Sequence, residues 1–160
     1  MAESNKRIAV IRVRGKKKVK KEIEDTMTML KLYRKNTCVI IKNTKPYIGM
    51  LEKIKDYVTW GEIDEKTFVE LLKKRGKLPA KQKLSEEYMK EKAKTSFEDF
   101  AKDFFAFKKE LKDIPGLKQF FRLNPPKQGF ERKGIKKPYS LGGALGYRKE
   151  KINNLIKNML

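Results

Sequence analysis

Three short apolar runs, separated by two amphipathic stripes, fill residues 8 to 63 and limit this chain more than any other feature does. Ile8 to Val13 is apolar and β-branched and ends before Gly15, which predicts a strand. From Lys20 to about Arg34, Ile23, Met27, Leu30 and Tyr33 recur at helical spacing and turn one stripe toward a core. Asn36 and Thr37 end that helix, and Cys38, Val39, Ile40 and Ile41 predict a second strand. Asn43 and Thr44 offer a cap, Pro46 suits a first helical turn, and Ile48, Leu51, Ile54 and Val58 share one face of the next helix. Thr59, Trp60 and Ile63 predict a third strand around Gly61. The resulting order is β-α-β-α-β, an α+β core with a small three-stranded sheet.

An extension follows. Asp64 is a good N-cap for a helix through Leu72, with Lys73, Lys74 and Arg75 in its last turn and Gly76 at the C-cap. Two more helices are predicted, Ser85 to about Lys94 and Ser96 to about Leu111. The second carries Phe97, Phe100, Phe104, Phe107 and Leu111, and Ser96 with Asp99 resembles a capping box. Pro115, Gly116, Pro125, Pro126 and Gly129 break the chain into loop around a short strand at Phe120 to Leu123. Arg148 to Leu160 spaces Ile152, Leu155, Ile156 and Met159 as a docking helix. The expected organisation is a core over 1–63, a helical insertion over 64–113, and a basic loop with a returning C-terminal helix over 114–160.

The formal net charge is +21 over 160 residues. The first segment holds 16 bases and 7 acids, the second 14 and 11, the third 11 and 2, so both ends supply the surplus. A surplus of that size repels itself and calls for a polyanion, nucleic acid first and an anionic membrane second. The chain has no histidine and a single cysteine, Cys38, which removes the commonest general base, a thiolate cage and an internal disulfide. No apolar stretch is long enough for a membrane span, and Met1 to Arg7 leads into a run broken by Arg12 and Arg14, unlike a secretory leader. An intracellular protein is expected.

Two clusters and one glycine motif stand out. Arg14, Lys16, Lys17, Lys18, Lys20 and Lys21 crowd the exit of the first strand without an acid among them. They suit either a solvated loop or a phosphate clamp whose affinity is sequence-independent and salt-sensitive. Lys127, Arg132, Lys133, Lys136 and Lys137 form the second cluster, interleaved with Phe130 and Tyr139. Those rings can stack on unpaired bases or anchor a long loop on the protein's own surface. Gly142, Gly143 and Gly146 precede the last helix, with Tyr147 and Arg148 alongside, as either a turn and cap or a phosphate site at a helix start. Asp99 and Asp103, one helical turn apart, could present two carboxylates to a metal; set among Lys102, Lys108 and Lys109, they fit a solvated face better. Cys38 and Trp60 are expected in the core.

Two segments carry a likeness. TMTMLKLYRKNTCVIIKNTKPYIGMLEKIKDYVTWGEI, residues 26 to 63, and FRLNPPKQGF followed by GGALGYRKEKINNLIKNML resemble the large-subunit ribosomal protein L-thirty family in its longer archaeal form, akin to eukaryotic large-subunit protein L-seven. The fit rests on fixed offsets of Thr26, Met27, Leu30, Leu32, Arg34, Thr37, Val39, Met50, Leu51, Ile54, Tyr57 and Val58. Gln128 and Lys149 depart from it, both standing where glycine is frequent.

The resemblance implies a cytoplasmic ribosomal constituent on a ferredoxin-like-related sheet with its helices on one face. It would bind 23S-type RNA, be associated with 5S RNA anchoring, and touch neighbouring large-subunit proteins. It implies RNA contact at Arg12, Arg14, Gly15, Lys16, Lys20, Pro126, Gly129, Gly143, Gly146, Tyr147 and Arg148, to which the clusters add Lys17, Lys18, Lys21, Lys127, Arg132, Lys133, Lys136 and Lys137. No catalytic residue, metal, cofactor, membrane or small-molecule substrate is expected. The alternatives are a metal-dependent nucleic-acid enzyme using Asp99 and Asp103, or a polybasic membrane-surface binder.

Overall fold

The computed structural model describes residues 6–160; residues 1–5, part of the first segment and of the stretch read against a secretory leader, lie outside the described residues. Strand β1 (Arg7–Arg12) is central, antiparallel to β2 (Thr37–Lys42) on one side and to β3 (Val58–Glu62) on the other. Two short strands widen this three-stranded core. β4 (Phe121–Arg122) adds antiparallel to β2 and β5 (Gly146–Tyr147) adds parallel to β3, giving the order β4-β2-β1-β3-β5.

Both faces are covered, which is why β1 and β2 read as continuous apolar runs rather than alternating ones. Ile8 and Val10 lie in register with Ile41, Val39 and Trp60, and pack under α1 (Lys21–Met29) and α2 (Lys45–Lys53) through Met27, Leu30, Leu51 and Ile54. The core's own helices therefore share one face. Ala9, Ile11, Cys38 and Ile40 point the other way, into a second core built by α3 (Glu65–Arg75), α5 (Phe97–Phe105) and α6 (Ile152–Met159). In that layer Phe68 stacks on Phe104 with ring centroids 4.5 Å apart and planes 2° from parallel. Such a pair contributes about 0.5–1.5 kcal/mol beyond its buried area. Leu155 and Ile156 bring the C-terminal helix into the same core, so the chain's end is docked.

Several boundaries differ from expectation for identifiable reasons. α1 stops at Met29 because Lys31 takes a left-handed φ of 62° and the Leu32 amide turns back to the Met27 carbonyl. Tyr33 consequently leaves the helical stripe and meets Phe120 edge-on. Val58 belongs to β3, not to the second helix, although it is buried with that helix's apolar face. α5 ends at Phe105, and Phe107, at φ 61°, places its ring under the Arg7 guanidinium. The Ser85 helix is one α turn, α4 (Glu86–Tyr88), continued by a π turn over Met89–Ala93.

Asp64 and Ser96 cap as the sequence leads one to expect, whereas Thr44 holds the N-cap position of α2 without a side-chain bond. The Asp64 carboxylate accepts from the Thr67 amide at 2.7 Å. The Ser96 hydroxyl accepts from the Asp99 amide at 3.3 Å and donates to the Asp99 carboxylate at 3.0 Å, so the box closes through side chains. Gly76 is needed for space, not for handedness: its φ is −62°, but a Cβ there would lie 2.6 Å from the Leu72 carbonyl oxygen.

At the end of the sheet where β1 begins, buried Arg7 donates to the Phe104 carbonyl at 2.8 Å and to the Glu110 carboxylate, which also pairs with Lys42 at 2.7 Å. Burial alone would raise the Glu110 pKa, but the bonds from Lys42 and Arg7 outweigh it and hold the carboxyl below its ordinary value. A carboxylate depressed in the folded state adds stability above its unfolded pKa of about 4.3 and loses it as pH falls through the folded value. Glu110→Gln is therefore expected to flatten the acid side of the stability profile. Urea midpoints compared at pH 7 and at about pH 3 check this, because the variant and the parent should converge only at the acid pH.

Candidate nucleic-acid interface

Strand pairing fixes which loops meet. β1 ends at Arg12 opposite Val58, the first residue of β3, and Ile11 pairs with Cys38 near the start of β2. The Asn36 amide donates to the Arg12 carbonyl at 2.7 Å, β4 places Arg122 opposite Thr37, and β5 places Gly146 opposite Thr59. Loops from five parts of the chain thus leave the same end of the sheet.

A small third core joins the two basic clusters there. Val13 packs with Ala144 and Leu145, and Phe130 leans against them. The loop bearing the second cluster is therefore docked one residue before Arg14, where the first cluster begins. Lys16, Lys17, Lys18, Lys20 and Lys21 are exposed with Gly15; Lys16, 61 % exposed, has only a 3.9 Å ion pair to Glu24. Such an exposed pair contributes little and leaves the ammonium available. Arg14 is half-buried, donates to the Asp56 carbonyl at 3.3 Å and lies 5.1 Å from the Tyr57 ring centroid. Lys127, Gly129, Arg132, Lys133, Lys136 and Lys137 are exposed on the second loop. Of its two rings, Phe130 anchors the loop in the third core. Tyr139 is half-buried beside Arg148, whose guanidinium carbon is 4.9 Å from the ring centroid.

Four residues implied as RNA contacts are internal instead. Arg12 is 1 % exposed and spends its Nε on the Arg14 carbonyl at 2.9 Å and its Nη1 on the Leu32 carbonyl at 2.7 Å. Burial pulls its pKa downward, with the nearby Glu24 charge opposing. Arg148, 3 % exposed, donates to Glu131 at 2.6 Å, to the Ala144 carbonyl at 2.7 Å and to the Thr59 hydroxyl at 2.8 Å. Pro126 is buried, and a Cβ on Gly143 would sit 2.0 Å from the Lys137 carbonyl oxygen. These four hold the loops in place rather than face outward.

The glycine motif is likewise a turn. α6 begins only at Ile152, after β5 and a 3-10 turn at Lys149–Lys151, so Gly142 and Gly143 do not sit at its start. Their amides donate to the Tyr139 and Pro138 carbonyls. Gly146, at φ 85°, is half-buried in β5, while Tyr147 is 45 % exposed. The Tyr147 hydroxyl donates to Glu62. Burial first, and then that bond, push its pKa up to about 12.

Pairing also adds basic residues that clustering in the sequence does not reveal. Arg34 and Lys35 precede β2 and Arg122 ends β4; all three are exposed at this same end of the sheet. Only the expected strand boundaries hinted at their convergence. Asp99 is engaged with Ser96, and Asp103 pairs with Lys109 at 3.3 Å, so their helix face is an ordinary charged surface. Among the described residues no three metal-ligating side chains converge, and no helix is long and apolar enough to cross a membrane. Cys38 is buried in the sheet, and burial pushes its thiol to about 12, so it remains protonated core packing.

A layered α+β fold with two basic loops pinned together at one end of its sheet defines a small basic scaffold protein. Residues 8–58 match the family model described as ribosomal protein L30p/L7e. Three archaeal relatives, each named large ribosomal subunit protein uL30, extend the likeness beyond that segment. The protein of Methanopyrus kandleri is 54 % identical over 149 residues, 92 % of this chain and 100 % of the relative. That of Nanoarchaeum equitans is 55 % identical over 148 residues, 92 % and 95 % of the two chains, and that of Methanococcus maripaludis 51 % over 152 residues, 95 % and 98 %. The chain belongs to the L30p/L7e family of ribosomal proteins.

Proposed function

We propose that this protein is a non-enzymatic, structural constituent of the large ribosomal subunit in the cytoplasm, and that it stabilises ribosomal RNA by neutralising phosphates. The observation that carries this is the third core, which joins the Arg14–Lys21 loop to the Lys127–Lys137 loop. Separate cationic segments become one surface able to hold neighbouring RNA strands close together. Lysine outnumbers arginine 33 to 8, so most contacts are point charges on phosphate rather than planar forks on base edges. Shape is read more than sequence.

The contact set is Arg14, Gly15, Lys16, Lys17, Lys18, Lys20, Lys21, Lys127, Gly129, Arg132, Lys133, Lys136, Lys137, Gly146 and Tyr147, with Arg12, Pro126, Gly143 and Arg148 as its internal supports. Arg34, Lys35 and Arg122 extend it. The partners in this proposal are 23S-type RNA, with 5S RNA as a further one, and neighbouring large-subunit proteins. Tagged protein should sediment with large subunits in a sucrose gradient, and ultraviolet crosslinking followed by RNA sequencing should recover 23S-type fragments, with 5S fragments as the minor product. Protein that stays at the top of the gradient at about 0.1 M salt would overturn the assignment.

A further inference from the structure

Beside β5, where the second basic loop returns to the sheet, an open cleft of about 690 Å³ is lined by Tyr139, Tyr147, Lys6, Lys149 and Lys151. We propose that this cleft is a second, base-binding site on that RNA surface, sharing Tyr147 with it, which takes one unpaired nucleobase of a single-stranded segment against Tyr147 and Tyr139 while the strand's phosphates meet Lys6, Lys149 and Lys151. The proposal rests on the RNA-binding function above and adds a different kind of ligand to it.

Both rings are set in advance. Tyr147 is 45 % exposed, yet it is fixed at both ends: its hydroxyl donates to Glu62, and its ring lies 6.4 Å from that of Trp60, which is buried beneath the sheet's edge. Tyr139 is steadied by Arg148 at 4.9 Å and Lys151 at 5.9 Å, and Arg148 is itself locked by Glu131, Ala144 and Thr59. An aromatic platform that is both rigid and wet loses little freedom when a base settles on it. The acids in the cleft decide which part of a nucleotide enters. Half-buried Glu62 lines it and repels phosphate, whereas the exposed Lys6, Lys149 and Lys151 attract it and outnumber the one exposed acid among them, Glu150. The base goes in and the backbone stays outside. Duplex RNA cannot offer an unstacked base, so the cleft selects single-stranded loops or bulges.

Trp60 is the only tryptophan and reports directly on the site. Titration of the full chain with single-stranded oligoadenylate at low salt is expected to quench its fluorescence saturably, and a blunt RNA duplex of equal length is not. Tyr147→Leu and Tyr139→Leu should each weaken oligoadenylate binding about tenfold, and Tyr147→Phe, which keeps the ring, should recover most of that loss. Equal quenching by duplex and single strand, affinities within about twofold for both leucine variants, or saturable binding of an acidic peptide in place of RNA would each overturn the proposal. If Tyr147→Leu fails to fold, the quench of the parent protein and the Tyr139→Leu variant decide. Salt-dependent binding of a ribosomal RNA fragment, measured on the same samples, separates the two ideas: its survival without a cleft response removes only the second site, and loss of both removes the proposed function as well.

Discussion

Arg148→Ala is expected to lower the unfolding free energy by about 3–5 kcal/mol, because it strips a buried guanidinium from three acceptors at once. Glu131 would lose its partner at 2.6 Å, the Ala144 carbonyl its donor at 2.7 Å, and the Thr59 hydroxyl its donor at 2.8 Å. Glu131 is partly exposed, so water relieves some of the orphaned charge and the loss should fall toward the lower bound. Urea unfolding followed through Trp60 measures it. A double variant, Arg148→Ala with Glu131→Ala, should be less destabilised than additivity of the single changes allows, since no carboxylate is then stranded. An unchanged midpoint for Arg148→Ala would show that the second basic loop is held by its apolar contacts alone.

The quadruple change of Lys16, Lys17, Lys18 and Lys20 to alanine is expected to weaken ribosomal RNA binding roughly 10²- to 10³-fold at about 0.1 M salt and to reduce the slope of log affinity against log salt by about three to four. All four ammonium groups are exposed, and among the described residues only Lys16 has an ion-pair partner, at 3.9 Å, so none is expected to support the fold. The melting temperature should stay within a few degrees of the parent. If the slope stayed the same, the first loop would face solvent in the assembled particle and the burden would pass to Lys127–Lys137 and the strand ends.

Much of the architecture was legible because burial on both sheet faces writes itself into the sequence as unbroken apolar runs. β1 and β2 could be placed from Ile8–Val13 and Cys38–Ile41, and Asp64 and Ser96 marked their helix starts. Val58 and Tyr33 were misplaced for one shared reason: a residue can continue a helical spacing by coincidence after the backbone has turned. β5 was missed because two residues carry no periodicity, and its partner is settled by the Arg148 amide donating to the Trp60 carbonyl at 2.9 Å, far away in the chain. For the site, local density of lysine pointed to exposed loops, since crowded like charges avoid the interior. Arginines were harder. Arg12 and Arg14 look alike in sequence, yet one is buried and the other only half-buried: Arg12 closes β1 and meets the Leu32 carbonyl, whereas Arg14 follows the strand's end and reaches the Asp56 carbonyl. Lys149 departs from the glycine expected there and still adopts the left-handed φ of 52° that glycine favours, so the turn is imposed by its surroundings.

The two outermost strands of the sheet are both contributed by the last quarter of the polypeptide, β4 on one flank and β5 on the other. While the chain is being synthesised, β1 to β3 can pair early, but both flanks stay open, and the face met by α3 and α5 still lacks α6, until residues beyond Phe120 emerge. Unpaired flanks are sticky toward other chains. A chain cut anywhere between β3 and β4 would keep both flanks unpaired and so open to edge-to-edge association.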